Sequence, residues 1–286
     1  MKTVFYGNSN YVIPIIKALD PVLIVTTEKN LTDPVIDYAI KNQITYLSLK
    51  TLSDIDILGK ISTYKTDAAV LADFGLIIPE TILSLYTKGI VNIHPSLLPK
   101  YRGPTPVQSA LLNNDLNTGV SLIKLDNDVD HGPIIAQKKV TLLDNDTTES
   151  AYTRLFHEGS KLLIDNLEKY MNGKIHLTEQ IHTDATFTNK LARESGYFDI
   201  TNPPSIERLI RMIHAYYPWP STWSKVQMAN NEWRIVKFLP EGKLQMEGKK
   251  PVSFKDFYNG YPELRNTIEK VMSYEFPPEA DQPSAE

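Results

Sequence analysis

An amide, an imidazole and a carboxylate, spaced so that folding can bring them together, are the residues of this sequence best suited to chemistry. In Val91-Asn92-Ile93-His94-Pro95-Ser96-Leu97-Leu98-Pro99-Lys100-Tyr101-Arg102-Gly103-Pro104, a short apolar run ends in a proline-punctuated loop. Side chains at i and i+2 of a strand share one face, so Asn92 and His94 are expected in one pocket at the strand's carboxyl end. Open α/β sheets place their ligands there. Further along, Asp126-Asn127-Asp128-Val129-Asp130-His131-Gly132-Pro133 offers carboxylates in a second turn, with Asp130 the expected partner of His94. A donating amide, a titrating imidazole and an orienting carboxylate suffice for acyl transfer.

Other chemistries fit less well. Gly7-Asn8-Ser9-Asn10 follows the first strand, but neither G-x-G-x-x-G nor G-x-x-x-x-G-K-[ST] is present, which disfavours dinucleotide or nucleoside triphosphate binding. Asp126, Asp128 and Asp130 begin like a calcium loop. The sixth position is His131 rather than glycine, and no bidentate glutamate closes twelve residues. No H-E-x-x-H spacing occurs, so no metal is expected. With no cysteine there is no thiolate nucleophile and no disulfide.

Those groups need a scaffold, and 286 residues suffice for two domains. A net charge of −4 gives no global polycationic signature. Residues 205–272 nevertheless hold eleven Lys/Arg against seven Asp/Glu, a local balance of +4 that hints at a polyanionic partner. No signal peptide and no run of about 18 apolar residues is found, which predicts a cytoplasmic protein without a membrane partner. A monomer is expected.

Strand and helix patterns alternate over the first 140 residues. Strands are predicted at 3–6, 22–26, 68–72, 89–94, 119–125 and 134–140, and helices at 11–19, 34–42 and from Pro79 to 85. Such alternation predicts an α/β class with a doubly wound, mostly parallel, Rossmann-like sheet. A long amphipathic helix over 147–171 ends near Asn172-Gly173. The boundaries that follow are a catalytic domain at 1–175, a polar linker at 176–204, a small β-rich (OB-like, barrel-like) domain at 205–273 and a disordered Pro/Glu-rich tail at 274–286. In the second domain a helix over 205–216 precedes short strands at 223–228, 233–238 and 243–246.

Asn92-Ile93-His94-Pro95-Ser96-Leu97-Leu98-Pro99, Tyr101-Arg102-Gly103 and Val129-Asp130-His131-Gly132 resemble the motifs of the folate-dependent formyltransferases. Phe5-Tyr6-Gly7, Asp73-Phe74-Gly75-Leu76-Ile77-Ile78-Pro79, Ala185-Thr186-Phe187-Thr188-Asn189-Lys190-Leu191, Ser195-Gly196-Tyr197, Ile210-Arg211 with Pro218-Trp219-Pro220, and Glu247-Gly248-Lys249-Lys250-Pro251 extend the likeness toward the tRNA-directed branch. The resemblance implies transfer of a formyl group from 10-formyltetrahydrofolate to the amine of initiator methionyl-tRNA, with Asn92, His94 and Asp130 catalytic. It implies a folate pocket lined by Phe74, Gly75, Leu76 and Ile78, by Ser96, Leu97, Leu98 and Pro99, and by Asp126 and Asp128. It implies acceptor contacts at Lys100, Arg102, Arg211, Lys249 and Lys250. Two features depart from the pattern: residues 28–33 are shorter than the basic, glycine-containing loop usual in that branch, and His131 stands where a small hydroxyl residue is general. The short loop would suit an alternative acceptor, a nucleotide-linked amino sugar.

Overall fold

The computed structural model describes residues 2–27, 33–52 and 55–272. Most of the distinctive short segment at 28–33 and the tail at 274–286 therefore lie outside the described residues. Two compact units are distinguished: Met1–Ala110 with Asp115–Leu143 and Ser150–Lys190, and Leu111–Asn114 with Asp144–Glu149 and Leu191–Glu286.

The first unit begins β1 (Val4–Tyr6), α1 (Ile13–Leu19), β2 (Leu23–Thr27), α2 (Pro34–Lys41), β3 (Tyr46–Leu49) and α3 (Ile55–Ser62). It continues β4 (Ala68–Leu71), α4 (Glu80–Leu83), β5 (Gly89–His94), α5 (Pro106–Leu112), β6 (Asn117–Lys124), β7 (Ile134–Thr141) and α6 (Thr148–Met171). The seven strands form one sheet in the order β3-β2-β1-β4-β5-β6-β7. From β3 to β5 the pairing is parallel; β6 is antiparallel to both β5 and β7. Central strands of a sheet covered on both faces read as continuous apolar runs, and every residue of β1 and β5 is buried. Strand order reverses between β1 and β4, and the crevice beyond the carboxyl ends at such a reversal is where this architecture binds ligands.

Local signals explain the helix starts. Asp33 caps α2 by accepting the Val35 amide at 2.8 Å, with Pro34 in the first turn. Pro79, read from sequence as the first residue of a helix, instead occupies the cap of the shorter α4. Edge strand β3 and helices α3 and α5 escape pattern reading: β3 has one buried residue in four, and α5 is short and follows a proline-rich loop.

The second unit contains α7 (Ile206–Ala215), β8 (Thr222–Gln227), β9 (Trp233–Leu239), β10 (Lys243–Met246), β11 (Val252–Ser253), α8 (Phe254–Gly260) and α9 (Arg265–Met272). Its antiparallel sheet has the order β11-β10-β9-β8, with no closing β11–β8 pair among the described residues. One core joins Leu209 and Ile213 of α7, Val236 and Phe238 of β9, Phe257 of α8 and Ile268 of α9. The unit therefore holds more helix than its strand spacing suggested.

On α6, Gly159 faces the sheet where a Cβ would lie 2.8 Å from Ile93 Cγ2 and 3.2 Å from Val120 Cγ1. Gly159→Leu should cost about 1–3 kcal/mol by overpacking, measured as a lower unfolding midpoint in denaturant. In the second unit, burial pushes His214 below the ordinary imidazole value of 6.5 against the opposing pull of Asp146. The unfolded state then takes up the proton first, so this contribution is intact above about 6.5 and is lost as pH falls toward the lowered folded value. Thermal melts across that range should show His214→Gln losing less stability than wild type on acidification.

Candidate active site

The strand β5 presents Asn92 and His94 on the same face, both buried. Asn92 Nδ2 donates to Asp130 Oδ1 at 2.9 Å. His94 Nδ1 lies 3.4 Å from Asp130 Oδ2, and the Gly103 amide donates to that same oxygen at 2.8 Å. The three side chains expected to meet thus share one carboxylate, 38 residues from the amide and 36 from the imidazole. His94 Nε2 is 2.9 Å from the Tyr101 carbonyl, which can only accept. The neutral ring therefore carries its proton on Nε2 and turns the Nδ1 lone pair toward Asp130. A proton arriving at Nδ1 would meet the carboxylate. Asn92 spends one N–H on Asp130, leaving its second for another oxygen.

These groups open into a cavity of about 340 Å³ lined by residues of the first unit. Of the ten residues expected around folate, Phe74, Gly75 and Leu76 line it; Ile78, Ser96, Leu97, Leu98, Pro99, Asp126 and Asp128 do not. The 96–99 turn is instead tied to the sheet. Ser121 Oγ donates to the Ser96 carbonyl at 2.7 Å and accepts the Leu98 amide at 3.0 Å, and Gln137 Nε2 donates to the Leu98 carbonyl at 2.8 Å. Ile78 packs on the core beneath the sheet. Asp126 accepts the Asp128 amide and pairs with His131 Nδ1 at 2.7 Å, bordering a separate cavity of about 360 Å³.

Among the expected acceptor contacts, Lys100, Lys249 and Lys250 are exposed and Arg211 is half-buried, its Nε without a hydrogen-bond partner. Arg102 departs from expectation. Only 3% exposed, it is not a surface cation but a structural one, with Nη2 donating to Gln180 Oε1 at 2.7 Å and to His182 Nδ1 at 2.8 Å.

Further residues of the motif segments and beyond them line the cavity. Ile77 and Val129 are 81% and 55% exposed, an apolar lip where burial would be the default. Asp73, Tyr152 and Lys190 also contribute; Lys190 comes from the stretch read as linker. Burial, then the charge of Asp73, pushes the Tyr152 phenol well above its ordinary range, so it remains neutral. One wall has its own anchor: Asn8 donates through Nδ2 to the Phe74 carbonyl, while its Oδ1 accepts Thr26 Oγ1 at 3.1 Å and the Thr27 amide at 2.8 Å. Gly7-Asn8 was legible only as a failed nucleotide motif; its work is to fasten the 73–75 turn to β2.

Fold and site together define an acyl-transfer enzyme on an open α/β sheet. The profile of the formyl transferase family matches residues 14–167. Over 237 residues the chain is 36% identical to the methionyl-tRNA formyltransferase of Chloroflexus aggregans, covering 78% of this chain and 76% of that one. It is 40% identical over 187 residues to the methionyl-tRNA formyltransferase of a Roseiflexus species, covering 65% and 57% respectively, so that match spans little more than half of that relative's length. A solved sugar N-formyltransferase from a Shewanella species shares the fold at a TM-score of 0.65 and 16% identity, over 84% of this chain and 98% of that chain. The chain belongs to the formyl transferase family.

Gly103 has φ +109, and a Cβ there would lie 2.8 Å from both the carbonyl oxygen and Oγ1 of Thr188. Gly103→Ala should shift the amide that holds Asp130 and lower kcat by about 10²-fold, the scale of a small misplacement at a reacting centre. Steady-state formylation kinetics on variant and wild type would check it.

Proposed function

We propose that this chain transfers the formyl group of 10-formyltetrahydrofolate to the amino group of methionyl-tRNA, acting as a monomer in the cytoplasm, where initiator tRNA is formylated. The observation carrying the reading is the meeting of Asn92 and His94 at the Asp130 carboxylate beside an open, partly apolar cavity. Among the described residues no helix is long and apolar enough to cross a membrane.

On this reading the acceptor's neutral amine attacks the formyl carbon, giving a tetrahedral centre whose oxygen gains negative charge. The free N–H of Asn92 donates to that oxygen; losing one such donor costs about 10²–10³ in rate. His94 Nδ1 takes the proton from the attacking nitrogen, Asp130 stabilises the resulting imidazolium, and a proton is returned to N10 as the C–N10 bond breaks. One amine N–H is lost and one N10–H is gained, so the step balances without a covalent enzyme intermediate. Phe74–Ile77 and Val129, around the apolar lip, supply a surface for the flat pterin. Exposed Lys100, Lys249 and Lys250 supply cations for tRNA phosphates.

Incubation with 10-formyltetrahydrofolate and either charged initiator tRNA or amino-sugar nucleotides tests the acceptor. Formyl-methionyl-tRNA is the expected product; formylation of the sugar alone would replace this reading with the alternative. His94→Ala should lower kcat by about 10²–10⁴-fold in the same assay.

A further inference from the structure

The stretch 176–190 does more than connect. Its backbone bonds the rest of the first unit repeatedly: Thr178 exchanges hydrogen bonds with Ile134, the Thr186 amide donates to the Pro99 carbonyl at 3.3 Å, the Arg102 amide donates to the Thr186 carbonyl at 2.8 Å, and the Thr188 amide donates to the Arg102 carbonyl at 2.8 Å. From this strap Gln180 turns inward and is buried. Its Nε2 donates twice, to the carbonyls of Asp130 at 2.9 Å and Gly132 at 2.7 Å. Its Oε1 accepts from Arg102 Nη2 at 2.7 Å and Nε at 3.2 Å.

Each partner fixes a role. A guanidinium only donates, so it must face Oε1; two carbonyls only accept, so they must face Nε2. A primary amide carries two N–H groups on one nitrogen, which is what spanning the Asp130–Gly132 turn requires. Asp130 sits there at φ +50, in the left-handed region. Its main chain is thus held by Gln180, and its side chain by the amide of Gly103, the residue after Arg102. Arg102 is in turn kept in place by His182 Nδ1 and by the Phe187 ring, whose centroid lies 5.9 Å from its Cζ.

We propose that Gln180, oriented by Arg102, is a positioning residue for formyl transfer: it fixes the turn that aims the Asp130 carboxylate at Asn92 and His94. The proposal rests on the formyl-transfer reading in taking Asp130 as part of the reacting centre. Gln180→Glu is the sharpest variant, because it keeps size while turning both donors into an oxygen aimed at two carbonyl oxygens; Gln180→Ala removes them.

The test measures kcat and KM for the full-length protein, with Asp130 intact and in an Asp130→Asn background, alongside thermal melts. Either Gln180 variant is expected to lose about 10²-fold in kcat, with KM for 10-formyltetrahydrofolate little changed. In the Asp130→Asn background the same substitution should cost only about threefold or less, because residues acting as one unit are not additive. Wild-type kcat in Gln180→Glu, or an equal loss in both backgrounds, would overturn the proposal. So would failure of both variants to fold, which would mark a purely structural role. A second readout needs no substrate: hydrogen exchange at the Gly103 amide, bonded to Asp130 Oδ2, should rise in both variants, and unchanged exchange would count against positioning. Rising exchange in a protein that formylates neither acceptor would sink the functional reading, and the proposal with it, while leaving Gln180's hold on the Asp130 turn established.

Discussion

One buried carboxylate organises the candidate active site. Asp130 is 9% exposed and takes hydrogen bonds from the Asn92 side chain and the Gly103 main chain, with the His94 imidazole beside it. A charge withdrawn from water is costly unless donors replace the water, and a hydrogen bond to a charged group contributes about 1.5–3 kcal/mol. The same donors offset the left-handed backbone at Asp130, a conformation costing an L-residue about 1–2 kcal/mol. Removing any of them therefore disturbs both the electrostatics of the site and the shape of the turn.

Of the two donors, β5 positions only Asn92; the Gly103 amide lies in a loop. The strand sets Asn92 and His94 rigidly, because its six residues are buried between β4 and β6. The other walls are loops beyond the sheet's carboxyl edge, and loops need anchors to hold catalytic geometry. Two separate anchors exist within the first unit. Asn8 fastens the 73–75 turn to the end of β2, and the 176–190 strap fastens the loops at 99–105 and 130–134. The cavity lies between walls held by different, sequence-distant segments.

That division accounts for what the sequence revealed. Asn92 and His94 were legible because strand periodicity alone places i and i+2 together, and Asp130 because a carboxylate in a turn is a natural partner for an imidazole. Six of the seven strands followed from alternating strand and helix runs, edge strand β3 being the exception, while the reversal of β6 did not, since apolar pattern carries no strand direction. Arg102 was misread because charge is visible in sequence and burial is not; its partner Gln180 is 78 residues away, with no local pattern to announce it. Ser96–Pro99 were expected around folate through the family resemblance, but the chain folds back there onto Ser121 and Gln137. Ile77 and Val129 lay within the motifs that carry the resemblance, but nothing in the pattern marked their side chains as exposed, because an apolar residue beside a turn is ordinary until a cavity is seen next to it.

The imidazole's fixed tautomer also restricts the direction of the proposed reaction. With Nε2–H committed to the Tyr101 carbonyl, only Nδ1 can accept a proton, and it faces Asp130 Oδ2. On the proposed mechanism the acceptor nitrogen must therefore approach on the Asp130 side of the ring. The formyl oxygen must lie within reach of the uncommitted N–H of Asn92, two residues earlier on the same strand face. Because Asn92 is bonded to the one carboxylate and His94 is held beside it on the same strand face, the proposed oxyanion donor and base would keep a fixed separation as the tetrahedral centre forms. Pre-set spacing of that kind lowers the reorganisation a reaction requires, and on the proposed mechanism it makes the placement of Asp130, rather than the basicity of His94 alone, the quantity on which the rate would depend.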